Sequence, residues 1–302
     1  MQPLSRYGWQ VAESARRPVL FVNPRSGDGT AARARLVERA RERGIDARVL
    51  DPHDDLSALV DEAVADGSDA LGVAGGDGSL WVVAAAARAH GLPFVCVPAG
   101  TRNHFALDLG IDRDDPVGAL DAFGESGVER SIDVAEVNGR VFLNNVSLGI
   151  YGEAVQQPAY RDAKVRTLVE TTAEVLGPSR AAPDVRLVDD LGREHRHPAV
   201  VLVSNNPYAL DRPVATGTRP RLDGGELGIV VLDRPQRPTA DPPAQVWTAT
   251  HLAVDASAPV HAGVDGEAVE LTPRLSFVIR PGALRVRISS RHPGVSPSGR
   301  LA

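Results

Sequence analysis

The strongest constraint on this chain is a pattern used three times in its first hundred or so residues, a short apolar run that empties into a glycine-containing turn. The clearest copy runs from Leu71-Gly72-Val73-Ala74 into Gly75-Gly76-Asp77-Gly78-Ser79, and an apolar, alanine-rich stretch over 80–89 follows at once. Apolar runs bounded by turn signals read as buried strands, and consecutive glycines let the backbone approach a ligand with φ values closed to other residues. A turn that opens a helix also offers an anion unpaired N–H groups and the positive end of the helix dipole. Taken alone, the cluster fits a nucleotide site and an ordinary strand-to-helix turn equally well.

The other two copies favour the nucleotide site. Val19-Leu20-Phe21-Val22 leads into Asn23-Pro24-Arg25-Ser26-Gly27-Asp28-Gly29, and a helix is predicted over 31–43, ending at Gly44. Phe94-Val95-Cys96-Val97 leads into Pro98-Ala99-Gly100-Thr101-Arg102-Asn103-His104. With a strand over 47–50 and helices over 56–65 and 117–123, the first part reads as α/β with a mostly parallel sheet. In an open parallel sheet, ligands bind beyond the carboxyl ends of the strands, which is where these three loops lie.

The texture changes near Gly124-Glu125-Ser126-Gly127. Beyond it the segments are β-rich, at 132–137, 141–146, 185–188, 200–203, 227–232, 252–254, 275–279 and 283–288, with one helical stretch over 162–176. Two domains are therefore expected, residues 18–130 and a β-rich 131–290, with the strand at 283–290 placed to pack back on the first. Asp265-Gly266 between two apolar runs is a two-residue hairpin signal. His195, Arg196 and His197 fall in a polar connection over 189–198 and are expected in a solvated loop. Asn205-Asn206-Pro207-Tyr208, after a strand, reads either as a turn or as the border of a cleft.

Composition excludes several classes. A net charge of −6 argues against a nucleic-acid protein. Lys164 is the sole lysine, so the Gly-Lys-Ser/Thr phosphate loop and the strand lysine of protein kinases are absent. One cysteine, Cys96, allows no intrachain disulfide or cysteine zinc site; it is expected to be a buried thiol in a reducing cytoplasm. No stretch reaches the ~18 apolar residues of a membrane span, and residues 1–17 lack the continuous apolar core expected of a signal peptide.

Five motifs resemble the diacylglycerol kinase catalytic family, which includes bacterial lipid kinases and sphingosine kinases and is related to NAD kinases. They are Asn-Pro-x-Ser-Gly at 23–27, Gly-Gly-Asp-Gly-Ser at 75–79, Pro-x-Gly-Thr-x-Asn at 98–103, Phe142-Leu143-Asn144-Asn145-Val146-Ser147-Leu148-Gly149 and Val264-Asp265-Gly266-Glu267, in the family's order over residues 18–290. The resemblance implies a Rossmann-like, NAD kinase-like domain followed by a β-rich sandwich domain, with the active site in the cleft between them. It implies an ATP-dependent lipid kinase that transfers the γ-phosphate to a diacylglycerol-like or sphingoid hydroxyl. Asn23, Pro24, Ser26, Gly27, Gly75, Gly76, Asp77, Gly78, Ser79, Gly100, Thr101 and Asn103 would hold the nucleotide. A carboxylate in a phosphate loop needs a cation beside it, which points to Mg²⁺ at Asp77. Glu267 would accept the hydroxyl proton, with Asp265 as its support or a metal contact. The implied partners are a lipid and, transiently, the inner membrane face, with no nucleic acid; a homodimer stays open.

The chain also departs from the family pattern. His104 stands where an acidic residue is usual, Trp81-Val82 replaces Asn-Glu, Asp51 replaces a threonine, and Asp223-Gly224-Gly225 replaces Asp-Asp-Gly, where some relatives hold a structural magnesium. Histidine cannot copy a carboxylate on magnesium. Two alternatives therefore stay open: a kinase for a soluble alcohol, on the NAD kinase pattern, and a nucleotide- or lipid-binding protein with reduced or no turnover.

Overall fold

The chain divides into one unit of residues 1–132 and 282–302 and a second of residues 133–281. The computed structural model describes residues 4–149, 185–189, 191–210, 217–232 and 244–301. The helix expected over 162–176 lies outside the described residues. Two strands, Gly127–Val137 and Leu275–Ser289, supply residues to both units.

In the first unit, strands Asp46–Val49, Pro18–Val22, Ala70–Gly75 and Phe94–Pro98 lie side by side in that order, all parallel. The end of strand Leu275–Ser289 adds a further parallel neighbour, pairing Val286 with Phe94. Pro18–Val22, Ala70–Gly75 and Phe94–Pro98 are buried along their whole length, which explains why they read as continuous apolar runs rather than alternating ones. Helix Asp77–Ala89 buries Leu80, Val83, Ala84 and Ala87, the three-and-four spacing of one helical face. Trp9 is buried, and its indole N–H donates to the Gly294 carbonyl at 2.6 Å, tying an early segment to a late one.

The single helix expected over 31–43 is two, Thr30–Arg33 and Leu36–Arg41, separated at Arg35 with φ 51°. Packing accounts for the break. Ala31 and Leu36 are both buried, yet five residues apart on one helix they would point roughly 140° from each other. A left-handed residue between them turns both toward the core.

The second unit is a β-rich sandwich. One sheet has the order Ala244–Ala249, Leu227–Leu232, Val200–Asn205, Asn145–Gly149, Val260–Val264, Glu267–Leu271, all antiparallel. Against it stand strands Glu194–Arg196, Val185–Val188 and His251–Ala256 with the first part of Leu275–Ser289. Both sheets fill one core, in which the Phe142 and Phe277 rings meet edge to face at 6.5 Å.

Two expectations need correction here. The strand read over 141–146 is broken into Arg140–Phe142 and Asn145–Gly149, because the N–H groups between them turn to a carboxylate described below. His195 is not in a solvated loop. It is the inward residue of strand Glu194–Arg196, its Nε2 3.4 Å from Asp189 Oδ2 and its ring stacked on Trp247 at 5.9 Å. Burial works against the Asp189 charge, but hydrogen bonds from the backbone and side chain of Arg193, from His195 and from the Leu191 N–H bring its pKa down to about 2. Among the described residues, no helix is long and apolar enough to cross a membrane.

Candidate active site

The three glycine loops follow three strands adjacent in the first sheet, so their chain order brings them together at the strands' carboxyl ends. They then lock by contacts that only small residues permit. Gly27 has φ 57°, and a Cβ there would lie 2.5 Å from the Ala99 carbonyl oxygen. A Cβ on Gly100 would lie 2.5 Å from the Gly76 Cα. The Gly76 N–H donates to Ser26 Oγ at 3.2 Å, which closes the triangle between first, second and third loops. Ser26 therefore braces the site as an acceptor, and its hydroxyl still carries a proton to donate.

Each loop is also stiffened from within. Asn23 Oδ1 accepts from the Arg25 N–H at 3.0 Å, and Thr30 Oγ1 donates to the Gly27 carbonyl at 2.6 Å. Asn103, with φ 50°, grips Gly100 twice: its Oδ1 accepts from the Gly100 N–H at 2.8 Å and its Nδ2 donates to the Gly100 carbonyl at 2.7 Å. Asn103 is buried and thus a loop brace, while Thr101 is exposed and Ser79 half-buried.

Asp77 opens helix Asp77–Ala89, so its carboxylate sits in the first turn beside the amides that attract anions. Its Oδ2 lies 3.8 Å from Nδ1 of His104, the first residue of helix His104–Asp108. Gly75 ends strand Ala70–Gly75, Gly78 lies in the first turn of helix Asp77–Ala89, and Pro24 follows strand Pro18–Val22 in the first loop. Beneath them, burial, reinforced by the Asp77 charge, pushes the Cys96 thiol well above its ordinary pKa, which marks an inert core cysteine. A cavity of about 640 Å³ adjoins the third loop, lined by Gly100, Thr101 and Asn103 together with Arg33, Arg102 and Arg113. Sequence reading missed these arginines; the signal for Arg33 was a basic residue one turn beyond a glycine loop, where it donates to the Gly27 carbonyl at 3.3 Å.

Asp265 and Glu267 belong to the second unit. Asp265 and Gly266, with φ 48° and 86°, form the two-residue turn between strands Val260–Val264 and Glu267–Leu271. The Asp265 carboxylate is buried and accepts three main-chain N–H groups, Leu143 at 2.7 Å, Asn144 at 2.8 Å and Asn145 at 3.1 Å. Glu267 is half-exposed, with Arg140 Nη2 3.4 Å from its carboxylate. Beside the 143–145 turn, the fully buried Arg219 donates to the carbonyls of Leu143 and Asn205, both at 2.6 Å, and to Asn144 Oδ1. The Asn205-Asn206 pair is buried as well. Asn206 bridges Asp133 Oδ2 to the Gly224 N–H, while the exposed Asp223 pairs with Arg221.

Among the described residues, no three His, Cys, Asp or Glu side chains gather as a metal cage. A cation at Asp77 would take further ligands from a bound phosphate, which is the usual way Mg²⁺ is held. The donor set fits that arrangement: one carboxylate in a loop braced for an anion.

Residues 17–137 match the diacylglycerol kinase catalytic domain. Over 297 residues the chain is 29% identical to a protein of Pseudomonas aeruginosa described as Probable lipid kinase YegS-like, covering 89% of this chain and 92% of the relative. It is 33% identical over 122 residues to a Diacylglycerol kinase of Mycobacterium tuberculosis, 39% of each chain. A solved diacylglycerol kinase structure from Bacillus anthracis superposes with a TM-score of 0.63 at 17% identity, over 94% of this chain and 100% of that one, a likeness of fold.

Proposed function

We propose that this chain, whose residues 17–137 match the diacylglycerol kinase catalytic domain, transfers the γ-phosphate of ATP to the hydroxyl of a diacylglycerol-like or sphingoid lipid. The observation that carries the nucleotide half of this reading is the closed triangle of Gly27, Gly100 and Gly76, with Ser26 bonded across it. The lipid half is supported by the names of the similar proteins and by the motifs at 98–103 and 142–149.

Phosphoryl transfer is mostly a matter of positioning and of charge stabilisation. The loop amides and the first turn of helix Asp77–Ala89 hold the phosphate chain, and the triangle fixes them before the ligand arrives. Asp77 would hold Mg²⁺, which neutralises phosphate charge when bound. Glu267 takes the proton as the lipid hydroxyl oxygen bonds to the γ-phosphorus and the bond to the β–γ bridging oxygen breaks. Asp265 holds the turn before Glu267 and the 143–145 main chain, and so acts by positioning.

The test is transfer of labelled γ-phosphate from Mg-ATP to mixed micelles of diacylglycerol, monoacylglycerol, ceramide or sphingosine, with NAD⁺ alongside. One lipid is expected to be labelled, and Glu267→Ala to lower turnover by about 10²- to 10⁴-fold. Labelling of NAD⁺ alone would establish the soluble-alcohol alternative instead. ATP binding with no transfer would leave a nucleotide-binding protein.

A further inference from the structure

His104 and Asp77 come from different loops, and the backbone leaves little freedom in how they meet. Asn103 clamps Gly100 through two hydrogen bonds, Gly100 abuts Gly76, and the residues following Asn103 and Gly76 are His104 and Asp77. The result is an imidazole nitrogen 3.8 Å from a carboxylate oxygen at the mouth of the phosphate loop. Two donors on adjoining octahedral positions of one ion, each about 2.1 Å from it, stand about 3 Å apart. The His104 side chain is 48% exposed, and a shift of under about 1 Å closes the pair on a shared ion.

We infer that His104 and Asp77 together seat a first-row transition-metal ion, with Mn²⁺ favoured over Mg²⁺, against the phosphate oxygens of the bound nucleotide. The inference rests on the nucleotide reading above and adds a ligand to it. Mg²⁺ holds to hard oxygen donors and a strict octahedron. One nitrogen donor in the set moves preference toward ions that accept imidazole as well as carboxylate and phosphate. Coordination through Nδ1 places the ring proton on Nε2, where exposure gives it water as a partner. A simple His–Asp ion pair would instead compete with the cation for Asp77, so removing His104 would leave metal affinity unchanged or raise it.

The experiment uses the full chain with a non-hydrolysable ATP analogue. Mn²⁺ is titrated in, free ion is followed by its electron paramagnetic resonance signal, and pulsed measurements read nitrogen coupling to the bound ion. Directly coordinated imidazole nitrogen is expected in the wild type and absent from His104→Ala. Mn²⁺ affinity should fall in that variant by at least the ~10-fold that even outer partners of a metal site contribute. His104→Asp should restore Mg²⁺ as the better competitor. Analogue affinity without metal is measured in parallel on all three proteins. Normal analogue binding with no nitrogen coupling, or with unchanged or raised Mn²⁺ affinity in His104→Ala, overturns the inference alone. Failure of the wild type to bind the analogue overturns the nucleotide reading and this inference with it.

Discussion

Replacing Gly100 by alanine puts a methyl group into one of the two tightest contacts of the site. The new Cβ would stand 2.5 Å from the Gly76 Cα, 2.9 Å from Asn103 Oδ1 and 3.0 Å from the Gly76 nitrogen, where ordinary contact begins at 3.4 Å. Two of these neighbours are main chain and cannot rotate away, so the second and third loops must part by about 1 Å, a misplacement that costs roughly 10²-fold in turnover when it reaches the reacting groups. Overpacking of this kind also costs about 1–3 kcal/mol of stability. Gly76→Ala is the informative companion. Its Cβ would meet nothing closer than the Gly100 Cα at 3.8 Å and Ser26 Oγ at 4.0 Å, so the fold accepts it. The methyl group does occupy space inside the loop, where an anion would sit. Calorimetric titration with an ATP analogue and thermal unfolding separate the two cases. Gly100→Ala should lose both affinity and stability, whereas Gly76→Ala should keep its melting temperature and lose affinity. Gly100→Ala binding within two-fold of the wild type with unchanged melting would refute the locked triangle, and unchanged affinity in Gly76→Ala would remove the phosphate from this loop.

Asp265→Ala leaves three main-chain N–H groups without their acceptor, and with about 1–3 kcal/mol for each buried group lost, urea unfolding should show a loss of about 3 kcal/mol or more. A fully stable variant without turnover would instead make Asp265 a chemical participant. His292 is buried, with Nδ1 accepting the Asp112 N–H and no hydrogen-bond partner at Nε2 among the described residues, and burial lowers its pKa against the pull of Asp115, Asp112 and Asp121. The unfolded chain then binds the proton more readily, so stability is full above the ordinary histidine value of about 6.5 and falls as pH drops below it; His292→Gln should flatten that slope in melting curves taken from pH 8 to pH 5. Asp189 has the opposite charge and acts lower: its stabilisation is present above pH 3.8 and is lost as pH falls toward about 2, a limb that Asp189→Asn should remove.

The parts of the fold that were legible in the sequence are those set by neighbours along the chain. The three strand-and-loop units declare themselves because turn chemistry and apolar runs are local, and Asp265-Gly266 forms the hairpin turn that such a pair favours. The parts that were not legible depend on distant partners. Nothing near Leu143 indicates that the strand must break there, since the carboxylate that takes its N–H is 122 residues away. His195 looks polar among polar neighbours, and only its pairing with Leu187 and the Trp247 face turn it inward. The Arg35 break answers to the burial of Ala31 and Leu36, which no helical propensity records. In the site, the loops were readable as a set, but the Asp77–His104 approach and the arginines beside the third loop follow from how the loops stack.

Trp247, face to face with an imidazole in the second unit, and Trp9, buried with its indole bonded to Gly294 in the first, give each unit its own fluorophore. The third tryptophan, Trp81, lies in the helix that opens at Asp77. Trp81→Phe combined with Trp9→Phe leaves emission from the second unit alone, and with Trp247→Phe from the first alone. Coincident denaturation midpoints in the two double variants would mean that the chain melts as one cooperative body, while separate midpoints would mean that it has two stabilities, each to be measured in its own right.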